Sequence, residues 1–260
     1  MKSDYELISV TRETEEGFRI LPVADVHLGA LEHMEREWCQ FCASVLDQPR
    51  TYLVLGGDLM NNNTRSSVGN PFDEVLRPQE QKRILIDMLK PLRSRIWAMC
   101  LGNHEARSRR ESDVDLMYDV ACKLDIEDRY RQNVAVLKIQ PPPVERHDLP
   151  VYVIAMTHGT GGGIYSGAAL NRAERFGYYF DGIDALIVGH THKPIVSQPS
   201  KLRVDARNNV VNLAPFKVVS LSSWMRYGGY AMGKMLQPSS HAPQVMSFAG
   251  GKKKEIIVSM

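Results

Sequence analysis

The chain reads as an α/β fold on three observations. Apolar runs of strand length alternate with amphipathic stretches of helical period through the first two thirds, and strands dominate from Pro194 onward. Five of the apolar runs also stop at a Gly or a polar residue followed by a potential metal ligand. Ligands at the ends of successive strands gather along one edge of a sheet, and that convergence is the main structural expectation.

In chain order, Tyr5–Val10 and Phe18–Val23 are expected as two strands joined by the polar turn Arg12–Gly17. The second delivers Ala24-Asp25-Val26-His27-Leu28-Gly29. Trp38, Phe41, Cys42, Val45 and Leu46 recur at three- and four-residue steps, the stripe of a helix that Pro49 closes. Thr51–Leu55 is a buried strand ending at Gly56-Gly57-Asp58, with a polar loop from Asn61 to Asn70 behind it. A helix carrying Ile84, Leu85, Met88 and Leu92 leads to the apolar strand Ile96–Cys100, which ends in Leu101-Gly102-Asn103-His104-Glu105. Beyond Arg107-Ser108-Arg109-Arg110, the spacing of Val114, Met117, Ala121 and Leu124 predicts a further helix. Val134–Ile139 alternates as a strand up to the linker Pro141–Pro143. Val151–Met156 runs into Thr157-His158-Gly159, and the glycines 161–163 make a flexible loop before a helix through Arg172 to Phe180. Ala185–Val188 is a buried strand ending in Gly189-His190-Thr191-His192. Val210–Leu213, Phe216–Leu221 and Glu255–Val258 are short strands.

The 260 residues can bury a sizeable core, and one domain over 1–260 is expected, its strand-rich part 193–260 included. Hydrophobic content of 43% and charged content of 24% are ordinary for a globular protein. No apolar run approaches the roughly 18 residues of a membrane span, and residues 1–6 carry mixed charge with no signal-peptide core. A cytoplasmic protein without a membrane partner is the expectation. Four cysteines are few for a disulfide scaffold, and Cys39 and Cys42 at helical spacing read as reduced core thiols. A net charge of +2 neither declares nor excludes a nucleic-acid binder.

Of the eight histidines, His27, His104, His158, His190 and His192 directly follow strands, whereas His33, His147 and His241 fall in helix or loop sequence. A lone strand-end histidine is usually an ordinary hydrogen-bonded residue. Five in the company of Asp25, Asp58 and Asn103 point to metal. Oxygen and imidazole ligands without thiolate suit Mn²⁺, Fe, Zn²⁺ or Co²⁺, with Mn²⁺ the first choice. Asp25, His27, Asp58, Asn103, His158, His190 and His192 are too many for one ion with an open position. They suit two ions about 3.5–4 Å apart that share a carboxylate. Two divalent ions against two aspartates leave surplus positive charge, which attracts phosphate and lowers the pKa of a bound water. His104, facing away from its neighbour along an extended segment, is expected to be the acid at the leaving group, with Glu105 either orienting it or at the surface.

Asp25-x-His27, Gly57-Asp58, Gly102-Asn103-His104-Glu105, His158 and Gly189-His190-x-His192, in that order, resemble the calcineurin-like metallophosphoesterase superfamily. The resemblance implies a four-layer α/β/β/α sandwich of two mixed sheets flanked by helices. It implies one metal held by Asp25, His27, Asp58 and His192 and a second by Asp58, Asn103, His158 and His190, with Asp58 bridging and His104 unliganded. Asp25-Val26-His27-Leu28-Gly29 is similar to the repair nucleases and other diesterases; Gly102-Asn103-His104-Glu105 is similar to the phosphoprotein phosphatases and diadenosine tetraphosphatases. The latter group carries an Asp-Arg-Gly triplet whose Arg grips phosphate, where this chain has Asn61-Asn62-Asn63, with Arg65 as a substitute.

The expected activity is therefore two-metal hydrolysis of a phosphodiester of a nucleotide or nucleic acid. A phosphomonoesterase is the alternative, and a metal-free protein-binding scaffold is a distant third. Arg107, Arg109 and Arg110 follow the acid directly and are candidates to clamp a second phosphate. Trp224, Tyr227 and Tyr230 lie among glycines, where they could stack a base or pack against a sheet.

Overall fold

The computed structural model describes residues 2–260 apart from 66, 68–70, 144–147, 162 and 164. Its elements are β1 (Ile8–Thr11), β2 (Phe18–Val23), α1 (Glu35–Asp47), β3 (Thr51–Leu55), α2 (Pro78–Leu89), β4 (Ile96–Cys100), α3 (Glu105–Ser112), α4 (Leu116–Lys123), β5 (Tyr130–Arg131) and β6 (Val134–Gln140). They continue with β7 (Tyr152–Thr157), α5 (Ser166–Gly177), β8 (Ala185–Val188), β9 (Ile195–Ser197), β10 (Ser200–Asp205), β11 (Val210–Pro215), β12 (Lys217–Ser220), α6 (Gly229–Gly233), β13 (Val245–Phe248) and β14 (Ile256–Ser259).

Two six-stranded mixed sheets form, ordered β1-β6-β7-β8-β12-β9 and β14-β13-β2-β3-β4-β5. Side chains from their facing surfaces, among them Ile20, Val54, Ala98, Leu137, Ile154 and Ile187, make the central core. The far face of the second sheet, with Leu53 and Leu55, packs on α1, α2 and α4 through Trp38, Leu85 and Val120. The far face of the first sheet, with Leu186 and Val218, packs on Ala173 of α5. The result is the four-layer α/β/β/α sandwich. A strand buried on both faces has no polar side to show, which is why Thr51–Leu55 and Ala185–Val188 stand out in the sequence as unbroken apolar runs.

Several local expectations change. β1 and β2 do not pair with each other: β1 lies parallel to β6 in one sheet, and β2 lies between β3 and β13 in the other. The polar turn between them is a crossing from sheet to sheet. Leu92 lies beyond α2 on the 3₁₀ segment Lys90–Arg95, because Pro91 cannot continue an α-helix. α5 ends at Gly177, short of Phe180. The arginines after His104 lie on α3, a helix whose sequence EARSRRES has no apolar stripe and which ends at Asp113 in a left-handed conformation. Of the four free cysteines only Cys42 and Cys100 are core thiols, burial pushing each up to about 12, and Cys39 and Cys122 are exposed. Trp224 packs in the core against Trp38 and Phe41, while Tyr227 is half exposed. His147, Gly162 and the Tyr230 side chain lie outside what the structure describes. Among the described residues no helix is long and apolar enough to cross a membrane.

Leu55 is fully buried one turn of chain before the Asp58 loop. Leu55→Ala is expected to lower the unfolding free energy by about 2–5 kcal/mol, measured as a shift of the urea midpoint with unchanged slope.

Candidate metal centre

β2, β3 and β4 are parallel neighbours, as are β7 and β8, and their carboxyl ends carry the candidate ligands. The chain leaves these strands by left-handed turns: φ is 56° at Asp25, 51° at His27, 50° at Asp58, 68° at His190 and 56° at His192. Asp and His tolerate this region better than most residues, yet five such positions in one place constitute stored strain. The turns point side chains that would alternate across a strand toward a common centre.

Three groups of atoms there could hold a metal ion, each with all its ligand atoms within 4.8 Å of one another: Asp25, His27 and His192; Asp58, His158 and His190; and His27, Asp58 and His104. In the first group, His27 Nε2 and His192 Nε2 approach to 3.2 Å, and Asp25 Oδ1 lies 3.2 Å from His192 Nε2 and 3.9 Å from His27 Nε2. In the second, Asn103 Oδ1 is 2.8 Å from His158 Nε2 and 2.6 Å from His190 Nδ1, and Asp58 Oδ2 is 3.2 Å from His158 Nε2. The third group links the other two, sharing His27 with the first and Asp58 with the second, and Asp58 Oδ2 is also 3.8 Å from His104 Nε2.

Several features fit a cation. Asp25 Oδ1 is buried and accepts no hydrogen bond among the described residues, while Oδ2 is satisfied by the His190 amide at 2.9 Å. Facing ring nitrogens gain little from each other unless something positive sits between them. His158 Nδ1 is 2.8 Å from the Gly56 carbonyl, which fixes the tautomer and leaves Nε2 for a ligand. Burial drives His27 well below its ordinary pKa, and His104 next to it acts in the same direction, so His27 is held neutral as a ligand must be. Burial would do the same to His158, but the Asp58 carboxylate outweighs it and raises that group to about 10. A metal ion at Asp58 therefore competes with a proton on His158.

Glu105 does not touch His104 and is not at the surface. It is fully buried, with Oε2 accepting from the amides of Asp58 at 3.0 Å and Gly102 at 3.2 Å, and Oε1 accepting from Met60 at 2.9 Å. Burial, with Asp58 adding to it, pushes its carboxyl up to about 7. The loops it joins also touch directly, since a Cβ on Gly102 would lie 2.0 Å from Asp58 N and one on Gly57 2.4 Å from Gly102 N. His104 is oriented by the backbone instead, its Nδ1 lying 2.6 Å from the Asn61 carbonyl. His104 opens a helix, with φ −70° and ψ −50°, rather than extending a strand. Its ring meets His27 edge to face at 4.4 Å.

Of the candidate arginines, Arg107 donates to the carbonyls of Asn61 at 3.1 Å and Asn62 at 3.4 Å and to Asn63 Oδ1 at 2.9 Å. It clamps the loop that stands in place of the Asp-Arg-Gly triplet. The Arg65, Arg109 and Arg110 side chains have no hydrogen-bond or ion-pair partner among the described residues, and nothing ties them to the centre. Sequence reasoning missed Gln81 and Glu74, which fasten the same loop: Gln81 Oε1 accepts from Asn62 N at 2.9 Å and Glu74 Oε1 from Asn63 N at 2.8 Å. Gln81 lies on α2 and Glu74 in the loop before it, and a polar residue in either place carries no sequence signal for such a role.

Carboxylate and imidazole atoms gathered in three groups at the carboxyl ends of the strands form a candidate centre for divalent metal ions. The chain belongs to the calcineurin-like phosphoesterase family, whose model matches residues 18–194. Similar solved structures include a metallophosphoesterase from Sphaerobacter thermophilus, 17% identical with a TM-score of 0.37, covering 89% of this chain and 83% of the other. A conserved protein of Streptococcus pneumoniae described as a predicted phosphoesterase is 12% identical with a TM-score of 0.34, covering 89% of this chain and 82% of that one. No curated protein sequence matches significantly.

Glu105→Ala leaves three buried amides without an acceptor. It is expected to lower stability by roughly 3 kcal/mol or more, and isothermal titration should show weaker Mn²⁺ binding in protein that remains folded. In the unmutated chain, Mn²⁺ at about one hundred times its dissociation constant should add about 2.7 kcal/mol of stability over protein treated with a chelator, read as a rise in Tm.

Proposed function

We propose that this chain hydrolyses phosphodiesters of nucleotides or nucleic acid at a centre of two divalent ions. Asp25, His27, Asp58 and His192 would hold one ion, and Asp58, Asn103, His158 and His190 the other, with Asp58 shared. The thiolate-free donor set suits Mn²⁺ best, and four unpaired cysteines fit a reducing compartment such as the cytoplasm. When bound, the ions supply positive charge against the phosphoryl oxygens and make hydroxide available at neutral pH for attack on phosphorus.

The chain's own residues do the rest. The Asn61 carbonyl takes the Nδ1 hydrogen of His104, so Nε2 is the atom that would give a proton to the departing oxygen from the imidazolium form, which burial disfavours and the Asp58 carboxylate favours. The ring also packs in a T-shaped contact with the His27 ring, their centroids 4.4 Å apart. Asp58 anchors the turn that carries the acid, its Oδ1 accepting from the His104 amide at 2.8 Å.

The observation that favours a diester is the engagement of Arg107. A phosphomonoester is a dianion, usually gripped by an arginine fork free to embrace two oxygens. Here one arm of the fork, Nη1, is already committed to Asn61, Asn62 and Asn63. A diester carries one negative charge, which the ions alone can balance.

With Mn²⁺ present, bis(p-nitrophenyl) phosphate is expected to turn over faster than p-nitrophenyl phosphate, and exclusive turnover of the monoester would sink the diester reading. His104→Gln should retain both metals by elemental analysis while slowing turnover by about 10²–10⁴-fold. Arg107→Met should loosen the 61–63 loop and slow both substrates to the same degree. A loss confined to the monoester would make Arg107 a phosphate ligand instead.

A further inference from the structure

The turn that carries Asp25 and His27 has backbone groups that can be followed one by one. The Asp25 amide donates to the Gly57 carbonyl and the His27 amide to the Asp58 carbonyl, each at 3.0 Å. The Asp25 carbonyl accepts from the Trp224 amide and the His27 carbonyl from the Ala30 amide, also at 3.0 Å. The carbonyl between them, that of fully buried Val26, is met by a side chain: His33 Nδ1 lies 2.8 Å away. A carbonyl can only accept, so Nδ1 bears the hydrogen. Burial lowers the pKa of His33 against the opposing pull of the Val26 and Trp224 carbonyls and of Glu35 and Glu37, which leaves the ring neutral with that one hydrogen. Nε2 is buried and has no hydrogen-bond partner among the described residues. An unpaired buried nitrogen costs stability, so packing alone does not account for a histidine here.

The Val26 carbonyl and the His27 amide belong to one rigid peptide plane. Asp58 holds its amide end and His33 its carbonyl end. Turning that plane would change φ at His27, which stands at 51° in the left-handed region, and would swing the imidazole that hangs from it. Such a conformation persists only where its surroundings over-determine it. His33 is itself pinned: its amide donates to the Ala30 carbonyl at 3.2 Å, it forms an antiparallel bridge with Met225, and the Met34 amide donates to the Trp224 carbonyl at 2.8 Å. The donor therefore meets Val26 from a fixed position. We propose that His33 is a positioning residue for the ion that Asp25, His27 and His192 would hold. It acts through the Val26 carbonyl, and its hydrogen bond goes to no ligand side chain. Removing a hydrogen bond behind a metal ligand typically weakens metal binding by about 10–100-fold. Asn103, His158 and His190 stand on other loops, so the second ion should feel the change far less.

The inference rests on the two-ion reading of the centre and not on the choice of substrate. The test is isothermal titration of the full chain with Mn²⁺, beside His33→Phe, which fills the space without a donor, and His33→Asn, whose amide can offer a hydrogen where Nδ1 does. The Phe variant should bind one ion as wild type does and the other about 10–100-fold more weakly. The weakened step should be the one that His192→Ala also removes, and the Asn variant should recover most of the loss. If the Phe variant does not fold, His33→Ala takes its place in the same comparison. Equal weakening of both ions would overturn the proposal, because a general loosening of the fold produces that result. An Asn variant no better than Phe would also overturn it, since the hydrogen bond would then not be what counts. A wild-type chain that binds no Mn²⁺ would end the two-ion reading and this inference together, whereas two ions in wild type and in the Phe variant alike would end this inference alone.

Discussion

The Glu105 carboxylate accepts hydrogen bonds from the amides of Asp58, Met60 and Gly102, and through these three bonds the loops after β3 and β4 are held at a fixed separation. Asp58 hangs from one loop and Asn103 from the other. Charged hydrogen bonds contribute about 1.5–3 kcal/mol each, while burying a carboxylate costs several kcal/mol. The two roughly cancel, and Asp58 nearby adds repulsion. What Glu105 supplies is therefore geometry more than stability. A neutral side chain of the same shape would offer a hydrogen to an amide that needs an acceptor, so the acid is required by the pattern of donors it faces.

That clamp is seated on strands that are packed from both sides. β3 and β4 are buried on both faces, one toward the facing sheet and one toward the helices. Backbone held in the left-handed region costs on the order of 1–3 kcal/mol per residue and persists only where its surroundings over-determine it. Here the turns begin within a few residues of two packed cores, and their amides continue the sheet bonding, Asp25 N donating to Gly57 O and His27 N to Asp58 O at 3.0 Å each. Glycine is needed where the backbones touch, at Gly57 and Gly102. The strain and the close approach are two aspects of one arrangement that brings imidazole nitrogens to within 3.2–3.3 Å of each other.

This explains which parts were legible in the sequence. Strands buried on both faces appear as apolar runs, and a polar residue straight after such a run has no reason to be there unless it serves the strand end. β2, β3, β4, β7 and β8 and the Asp, Asn and His residues behind them could be read for that reason. Features that depend on partners distant in the chain could not. Glu105 looks like any helix-starting acid until the amides 45 and 47 residues away are seen to face it. Arg107 reads as a free cation because its acceptors, two backbone carbonyls and one side-chain amide oxygen, lie 44 to 46 residues away. The separation of β1 from β2 is a choice between sheets, and a short polar turn carries no record of it.

α3 shows how far the centre reaches into the fold. Only Glu105 of this helix is buried, and Ala106 supplies its one apolar contact with a core. Short isolated helices of this kind are unstable in water. Its hold on the protein is polar and concentrated at its start: the His104 amide on Asp58, the His104 ring on Asn61, Arg107 on the 61–63 loop, and Ser108 sharing hydrogen bonds with the Asn62 side chain. Asn62 also donates to the His104 carbonyl at 2.8 Å, so helix and loop each satisfy the other's backbone. Neither has a reason to be ordered alone. The bonds that hold the helix to the loop and to the Asp58 turn are thus the same ones that position His104, the residue proposed to donate a proton.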